Sequence, residues 1–391
     1  MRKIPFLNLG KLFELHRAEF MTAIEGVVSQ SHFIGGSELE KFEKNFAQWV
    51  GKEYYCAGCA NGTDAIVLAA KALNLPPGSE AIIPAMTFVA TAEGLLHAGL
   101  KLKVVDVAPG TWLMDTKALE KAIGPQTKLI VPVYLYGQMP AMDEIKAIAD
   151  RHGCRVLEDA AQAHGATWKG KPPGYYGDLA TFSFFPGKNL GAFGDAGAVV
   201  SKNKGLLDSV YAFGKHGGHR KYEHNFVGYN SRLDSLQAAV LSVKLKYISE
   251  WNETRTRMAG LYAKALKGAP DLEIPQIHPD AQSSFHLYVV LTKDRQALQN
   301  HLKERGVETG IHYPLALHQL PAFKEADFAR ASFPNAERVA RHGLSLPMCP
   351  TMTEADVAYV VEAVWEYANK KNPVLHRGLG NNSLTREAGS A

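Results

Sequence analysis

Residues 178–201 read DLATFSFFPGKNLGAFGDAGAVVS. The apolar run 180–185 predicts a buried strand ended by Pro186 and Gly187, and 196–201 predicts a second strand after a loop. Gly191, Gly194 and Gly197 keep the backbone slim there, so something flat can approach it. The loop carries Lys188, with Phe184, Phe185 and Phe193 close by in sequence. An ammonium among aromatic rings loses hydration, which lowers its pKa toward the neutral nucleophile that Schiff-base chemistry needs. Taken alone, the stretch fits a solvated loop lysine better. It fits neither phosphate-loop pattern: the glycines run G-x-x-G-x-x-G, and Gly187-Lys188 lacks both the earlier glycine and the following Ser or Thr of a Walker loop.

Working outward, strands and helices alternate from Tyr54 to Ser201. Strands are expected at 54–59, 80–84, 102–107, 128–133 and 154–159, with helices from Thr63 and at 89–98, 116–123 and 141–152. This rhythm predicts an α/β fold with a mostly parallel sheet covered on both faces. Ligands of such sheets sit beyond the carboxyl ends of the strands. That rule gathers Asn61-Gly62-Thr63, Met86-Thr87-Phe88, Tyr136-Gly137-Gln138, Asp159 with Gln162, and Ser183 to Lys188 around one site.

Before this region, Ser37-Glu-Leu-Glu40 reads as a capping box opening a helix through Trp49. After it, Leu233, Leu236, Val240, Val243, Tyr247 and Trp251 predict one helix bridging two domains. Beyond Ala269 the pattern is that of a smaller α+β domain: strands at 284–292 and 307–313, a helix from 294 to 305, and a last helix capped by Thr353. The expected division is a large domain, 1–250, including the N-terminal segment and the bridging helix; a small domain, 251–371; and a mobile tail, 372–391.

The chain has 391 residues, 46% hydrophobic and 21% charged, with net charge +4. These totals fit an ordinary soluble protein and offer no basic, aromatic-interleaved groove for nucleic acid. No run of about 18 apolar residues predicts a membrane span, and MRKIPFLNLGKLFEL is too interrupted for a signal peptide, so a cytoplasmic protein is expected. Cys56-Ala-Gly-Cys59 lacks the second pair of a zinc site and reads as ordinary thiols, a redox pair being the alternative. His216, His219 and His224 lie in a basic loop without a carboxylate or cysteine pattern, so no metal is expected.

Asp159 ends one predicted strand and Lys188 follows another, so the two can face each other. On those residues alone a structural ion pair is equally good. Gly62 and Thr63 open a helix whose free N–H groups suit a phosphate, Phe88 offers a flat face, and Ser183 adds a hydroxyl near the lysine. A phosphorylated aromatic aldehyde fits them all.

The motifs NGTDAI, PAMTFVAT, EDAAQAHGA, FSFFPGKNLGAFGDAGA, GYNSRLDSLQAA and IHYP, in this order, resemble the DegT/DnrJ/EryC1/StrS family of sugar aminotransferases over about residues 4 to 370. The resemblance implies a fold-type-I pyridoxal 5′-phosphate enzyme, normally a homodimer, that aminates a keto sugar linked to a nucleotide. Lys188 then corresponds to the Schiff-base lysine, Asp159 to the partner of the pyridinium nitrogen, and Gln162 to the residue reaching the ring hydroxyl. Gly62, Thr63 and Ser183 match phosphate ligands and Phe88 the stacking position. Asn230 matches an asparagine lent to the phosphate by the second subunit, and Arg232, His312 and Tyr313 resemble substrate-side residues. Glutamate is the expected amino donor. Relatives that dehydrate sugars carry histidine at the lysine position, so Lys188 implies amination, and the motifs favour a 3-keto over a 4-keto sugar. The alternatives are a cyclitol ketone as acceptor, a non-catalytic regulator, and a sugar-nucleotide scaffold without cofactor.

Overall fold

The computed structural model of the chain describes residues 2–220 and 222–371; the predicted tail, 372–391, lies outside them. Two short helices, α1 (Leu9–Leu15) and α2 (Arg17–Gln30), lead into α3 (Ser37–Val50). There follow β1 (Tyr55–Cys59), α4 (Gly62–Ala72), β2 (Glu80–Pro84), α5 (Val89–His97), β3 (Lys101–Val105), α6 (Thr116–Ala122) and β4 (Thr127–Ile130). Then come α7 (Met142–His152), β5 (Arg155–Asp159), β6 (Thr167–Trp168), β7 (Leu179–Ser183), β8 (Gly197–Ser201) and α8 (Lys204–Gly214). All these strands but β6 form one sheet in the order β1-β8-β7-β5-β4-β2-β3, parallel except that β8 runs against both neighbours.

Side chains of a strand alternate between the faces of its sheet. Ala81, Ile83, Leu129 and Leu157 point toward α4, α5 and α8, meeting Ile66, Leu95 and Val210. Ile82, Ile130, Val156 and Phe182 point the other way, toward Phe46, Leu119 and Ile145 of α3, α6 and α7. Both faces are therefore buried, as the apolar strands require.

The predicted bridging helix is two helices, α9 (Ser235–Leu245) and α10 (Ile248–Leu266). Tyr247 occupies the break, its ring stacked on His16 with centroids 3.9 Å apart and its hydroxyl bonded to Glu19. The apolar period runs through the break, with Val240 and Val243 packed on Phe20 and Trp251 in the large core, so it could not reveal it. The expected domain boundary near 250 falls inside α10. Ile248 and Trp251 pack into the large core, whereas Met258, Tyr262 and Leu266 pack into a separate one with the C-terminal elements.

Those elements are β9 (Leu272–Glu273), β10 (Ala281–Gln282), β11 (Tyr288–Thr292), α11 (Arg295–Glu304), α12 (Pro334–His342), β12 (Gly343–Leu346) and α13 (Glu354–Lys371). A small sheet has the order β12-β11-β9, while β10 pairs with β6. The strand expected at 307–313 is absent as such: Val307 and Gly310 make single bridges, to Ile4 and Ser345. The strand expected at 284–292 begins at Tyr288, because Ser284 and Leu287 are tied to Gly137 and Tyr136. Thr353 caps α13 as expected, its Oγ1 accepting from the Asp356 N–H at 3.2 Å while the Asp356 carboxylate accepts from the Thr353 N–H at 2.9 Å. At α3 the predicted box does not form. Gly36, at φ 79°, is the cap, and Ser37 is already helical.

The first residues also depart from expectation. Ile4 is buried in the C-terminal core and bridges Val307, so the start of the chain belongs with the small domain. Among the described residues no helix is long and apolar enough to cross a membrane.

Candidate active site

A cleft of about 700 Å³ opens beyond the carboxyl ends of the parallel strands, lined by Gly62, Thr63, Phe88, Asp159, Gln162, Ser183, Lys188, His312 and Tyr313. The strand-end rule thus brings the predicted cofactor residues together, with one exception described below.

Asp159 is the last residue of β5 and is 4% exposed. Its carboxylate accepts from the Thr91 hydroxyl at 2.7 Å and from the Ala161 N–H at 3.2 Å. Burial raises its pKa; the Thr91 and Ala161 hydrogen bonds and the nearby Lys188 charge pull it back. Such a carboxylate gains most when a cation, such as a protonated ring nitrogen, is brought against it. Lys188 follows β7 in a loop held by its own N–H donating to the Phe185 carbonyl at 2.8 Å. Burial lowers its pKa to about 8 against the opposing pull of Asp159, which brings the amine within reach of its nucleophilic form near neutral pH.

The same cleft is lined by the start of α4. Asn61 Oδ1 takes the Asp64 N–H at 2.8 Å and the Asn61 carbonyl takes that of Ala65, while the N–H groups of Gly62 and Thr63 have no partner among the described residues. Ser183 closes on the same point: a Cβ at Gly62 would lie 2.6 Å from the Ser183 Cβ. Two free amides, a helix N-terminus and a hydroxyl make an anion site. Phe88, half exposed, presents its ring to the cleft beside Tyr313, with centroids 5.2 Å apart.

Gln162 Oε1 accepts from the Tyr136 N–H at 2.6 Å and its Nε2 donates to the Tyr313 hydroxyl at 3.1 Å, leaving a second amide hydrogen for a ligand. His312 Nδ1 is bonded to Ser345 Oγ at 2.8 Å. Burial, then Lys188, lowers the His312 pKa to about 4, so the imidazole is neutral at pH 7.

Asn230 and Arg232 do not line this cleft. Asn230 is exposed and bridges Lys215, and Arg232 is near enough to Lys215 to help lower that amine's pKa. Burial pushes the thiols of Cys56 and Cys59 well up, the opposite of a redox-active thiolate.

Other cleft residues escaped sequence reasoning. Thr91 had a usable signal, lying one helical turn after Thr87 and 2.8 Å from it through the two hydroxyls. Phe6, Leu7, Arg255, His286 and Met348 arrive from the N-terminal segment and the small domain, where nothing in their spacing marks a site.

An amine nucleophile, a buried acid for a cationic nitrogen, a stacking ring and an anion site in one cleft suit a phosphorylated pyridine aldehyde. Known proteins agree. Residues 14–365 match the DegT/DnrJ/EryC1/StrS aminotransferase family. A pleiotropic regulatory protein of Geobacillus stearothermophilus is 42% identical over 93% of this chain and 98% of its own length. The dTDP-3-amino-3,4,6-trideoxy-alpha-D-glucose transaminase of Streptomyces venezuelae is 39% identical over 94% of this chain and 97% of its own. The crystal structure of S. venezuelae DesV in complex with a ketimine intermediate superposes with a TM-score of 0.92 at 39% identity, covering 94% of this chain and 99% of that one. With its mostly parallel sheet, strand-end cleft and smaller C-terminal domain, the chain belongs to the DegT/DnrJ/EryC1/StrS aminotransferase family.

Proposed function

We propose that the chain is a pyridoxal 5′-phosphate-dependent aminotransferase that moves an amino group from glutamate to the 3-keto group of a nucleotide-linked sugar in amino-sugar biosynthesis, acting as a cytoplasmic homodimer. The observation that carries this reading is the convergence of Lys188, Asp159 and the start of α4 on one cleft.

In this reading Gly62, Thr63 and Ser183 hold the cofactor phosphate, Phe88 covers the ring, Gln162 meets the ring hydroxyl and Asp159 meets the ring nitrogen. The cofactor, when bound, supplies the electron sink that stabilises the carbanion left when the donor loses its α-proton. Lys188 Nζ would anchor the cofactor and, once displaced by the donor amine, would take a proton from the donor's α-carbon in the first half-reaction and give one to the carbon that receives the amine in the second. Thr91 and the Ala161 amide fix the Asp159 carboxylate, so it meets the nitrogen without reorganising. His312 and Tyr313 line the mouth where the sugar enters. Asn230 completes the phosphate site of the partner subunit, which accounts for its exposed place outside its own cleft.

The Geobacillus relative's name raises a regulatory role. Burying Lys188 and Asp159 costs stability that a protein without the chemistry has no reason to keep, which favours the enzyme. The Streptomyces relative's name favours a nucleotide sugar over a cyclitol, and C3 over C4.

Lys188→Ala is expected to abolish the visible absorption of the holoenzyme and to lower turnover by at least about 10²-fold. Asp159→Asn, with the fold intact, is expected to lower it by about 10²–10³-fold. Spectra and steady-state rates with keto sugars on different nucleotides test both, and a Lys188→Ala protein with native turnover would refute the assignment.

A further inference from the structure

Arg255, on α10, is 2% exposed and lines the cleft together with Lys188, His286 and Met348. Its Nη1 donates to the carbonyls of Phe285 at 3.3 Å, His286 at 3.4 Å and Met348 at 3.0 Å. No carboxylate among the described residues pairs with it, and its buried Nε has no hydrogen-bond partner. Nη2 likewise forms no hydrogen bond among them. A guanidinium withdrawn from water without a counter-ion is costly to the fold, and three carbonyls on one nitrogen offset only part of that cost. The unused Nη2 offers charged N–H donors to the oxygens of a carboxylate, with the buried Nε unsatisfied behind it.

The surroundings suit an anion. His286 places Nδ1 3.1 Å from Asn189 Oδ1, next in sequence to Lys188. Burial, then the charges of Lys188 and Arg255, drives the His286 pKa well down, as it does that of His164, so both imidazoles are neutral. Asp64, Asp159 and Asp195 line the cleft too; the charge of Asp159 is met by Lys188 and its hydrogen bonds, while Asp64 belongs to the start of α4 and Asp195 to the loop before β8. The cofactor phosphate has its own place at the start of α4. A diphosphate flanked by nucleoside and sugar is too bulky to reach so deeply buried a side chain, whereas the carboxylate of a small amino acid is not.

We propose that Arg255 recognises the amino donor, its free Nη2 holding a carboxylate of glutamate and aiming the donor's amine at the Lys188 side of the cleft. The assignment rests on the aminotransferase reading and adds to it the residue that selects the donor.

The test uses holoenzyme and follows its two half-reactions separately in single turnovers, with glutamate and with the keto sugar. Arg255→Met preserves bulk and removes the charge. It is expected to raise the glutamate concentration for half-maximal rate by about tenfold to a hundredfold, and to slow the sugar half-reaction far less. Arg255→Lys keeps a charge for the carbonyls but not the planar guanidinium that presents Nη2 to the donor, so it should fall between wild type and Arg255→Met. Glutarate, which has both carboxylates of glutamate and no amine, should bind wild-type holoenzyme in calorimetry and bind each variant more weakly in the same order. Equal losses in both half-reactions, or unchanged glutamate and glutarate dependence in whichever variant folds, would overturn the proposal and make Arg255 a structural strap. Wild-type holoenzyme that glutamate does not convert at all would instead overturn the aminotransferase reading, a separate outcome.

Discussion

Glu43 shows how a buried acid contributes to the pH response of the fold. Its carboxylate accepts from the Gly58 N–H at 2.7 Å on the inner side of α3. Burial outweighs that hydrogen bond and the pull of Lys215, raising its pKa to about 7 from 4.5. Because the folded pKa is the higher one, the folded state binds the proton more tightly. Glu43 therefore contributes stability below about pH 4.5 that is lost as the pH rises through 7. Glu43→Gln keeps the acceptor and the volume without the charge. We expect it to stabilise the protein by about 1–3 kcal/mol at pH 8 and to bring no gain at pH 4.5. Urea unfolding at the two pH values decides this, and an equal change at both would mean that the side chain acts through packing alone. Lys188 and Asp159 were legible in the sequence because each stands where an apolar strand stops, and the geometry of a parallel sheet then says where it points. Arg255 and His286 were not, since on α10 and before β11 their neighbours read only as core.

The start of α4 combines a helix terminus with a steric requirement. A methyl group at position 62 would meet Ser183 at 2.6 Å, so Gly62→Ala must push the helix start away from β7. The expected result is at least about tenfold weaker cofactor binding, about 1.4 kcal/mol, with circular dichroism unchanged. Titration of apoenzyme with pyridoxal phosphate measures it; undiminished affinity would mean that the helix start does not hold the phosphate. Elements were readable where one local rule decides them, as in the alternating strands β2, β4 and β5. They were missed where a distant partner decides. Tyr247 breaks the 233–251 helix by stacking on His16, and the single bridges of Val307 and Gly310 take the place of a strand. The helices α1 and α2 went unread although Phe20 and Val27 of α2 repeat at helical spacing, because Phe20 first gains meaning against Val240 and Val243.

At the scale of the whole molecule, Asn230 outside its own cleft leads to a test of assembly. Mixing Lys188→Ala subunits with Asn230→Ala subunits should restore one sound site per mixed dimer, up to about half the native activity per dimer under the two-fold symmetry usual for such pairs. Absence of rescue despite verified subunit exchange would place Asn230 in its own subunit's site. The N-terminal segment carries a different consequence. Ile4 bridges Val307, the Phe6 N–H reaches Glu308 Oε2 at 3.0 Å, and Phe6 and Leu7 line the cleft. Phe6 thus meets a residue 302 positions further along. During synthesis these first residues leave the ribosome long before their partners exist. The large sheet can assemble as it emerges, but the small domain and one wall of the cleft wait for nearly the whole chain. A nascent chain that has emerged only as far as β8 therefore holds every strand of the large sheet and still lacks one wall of the cleft.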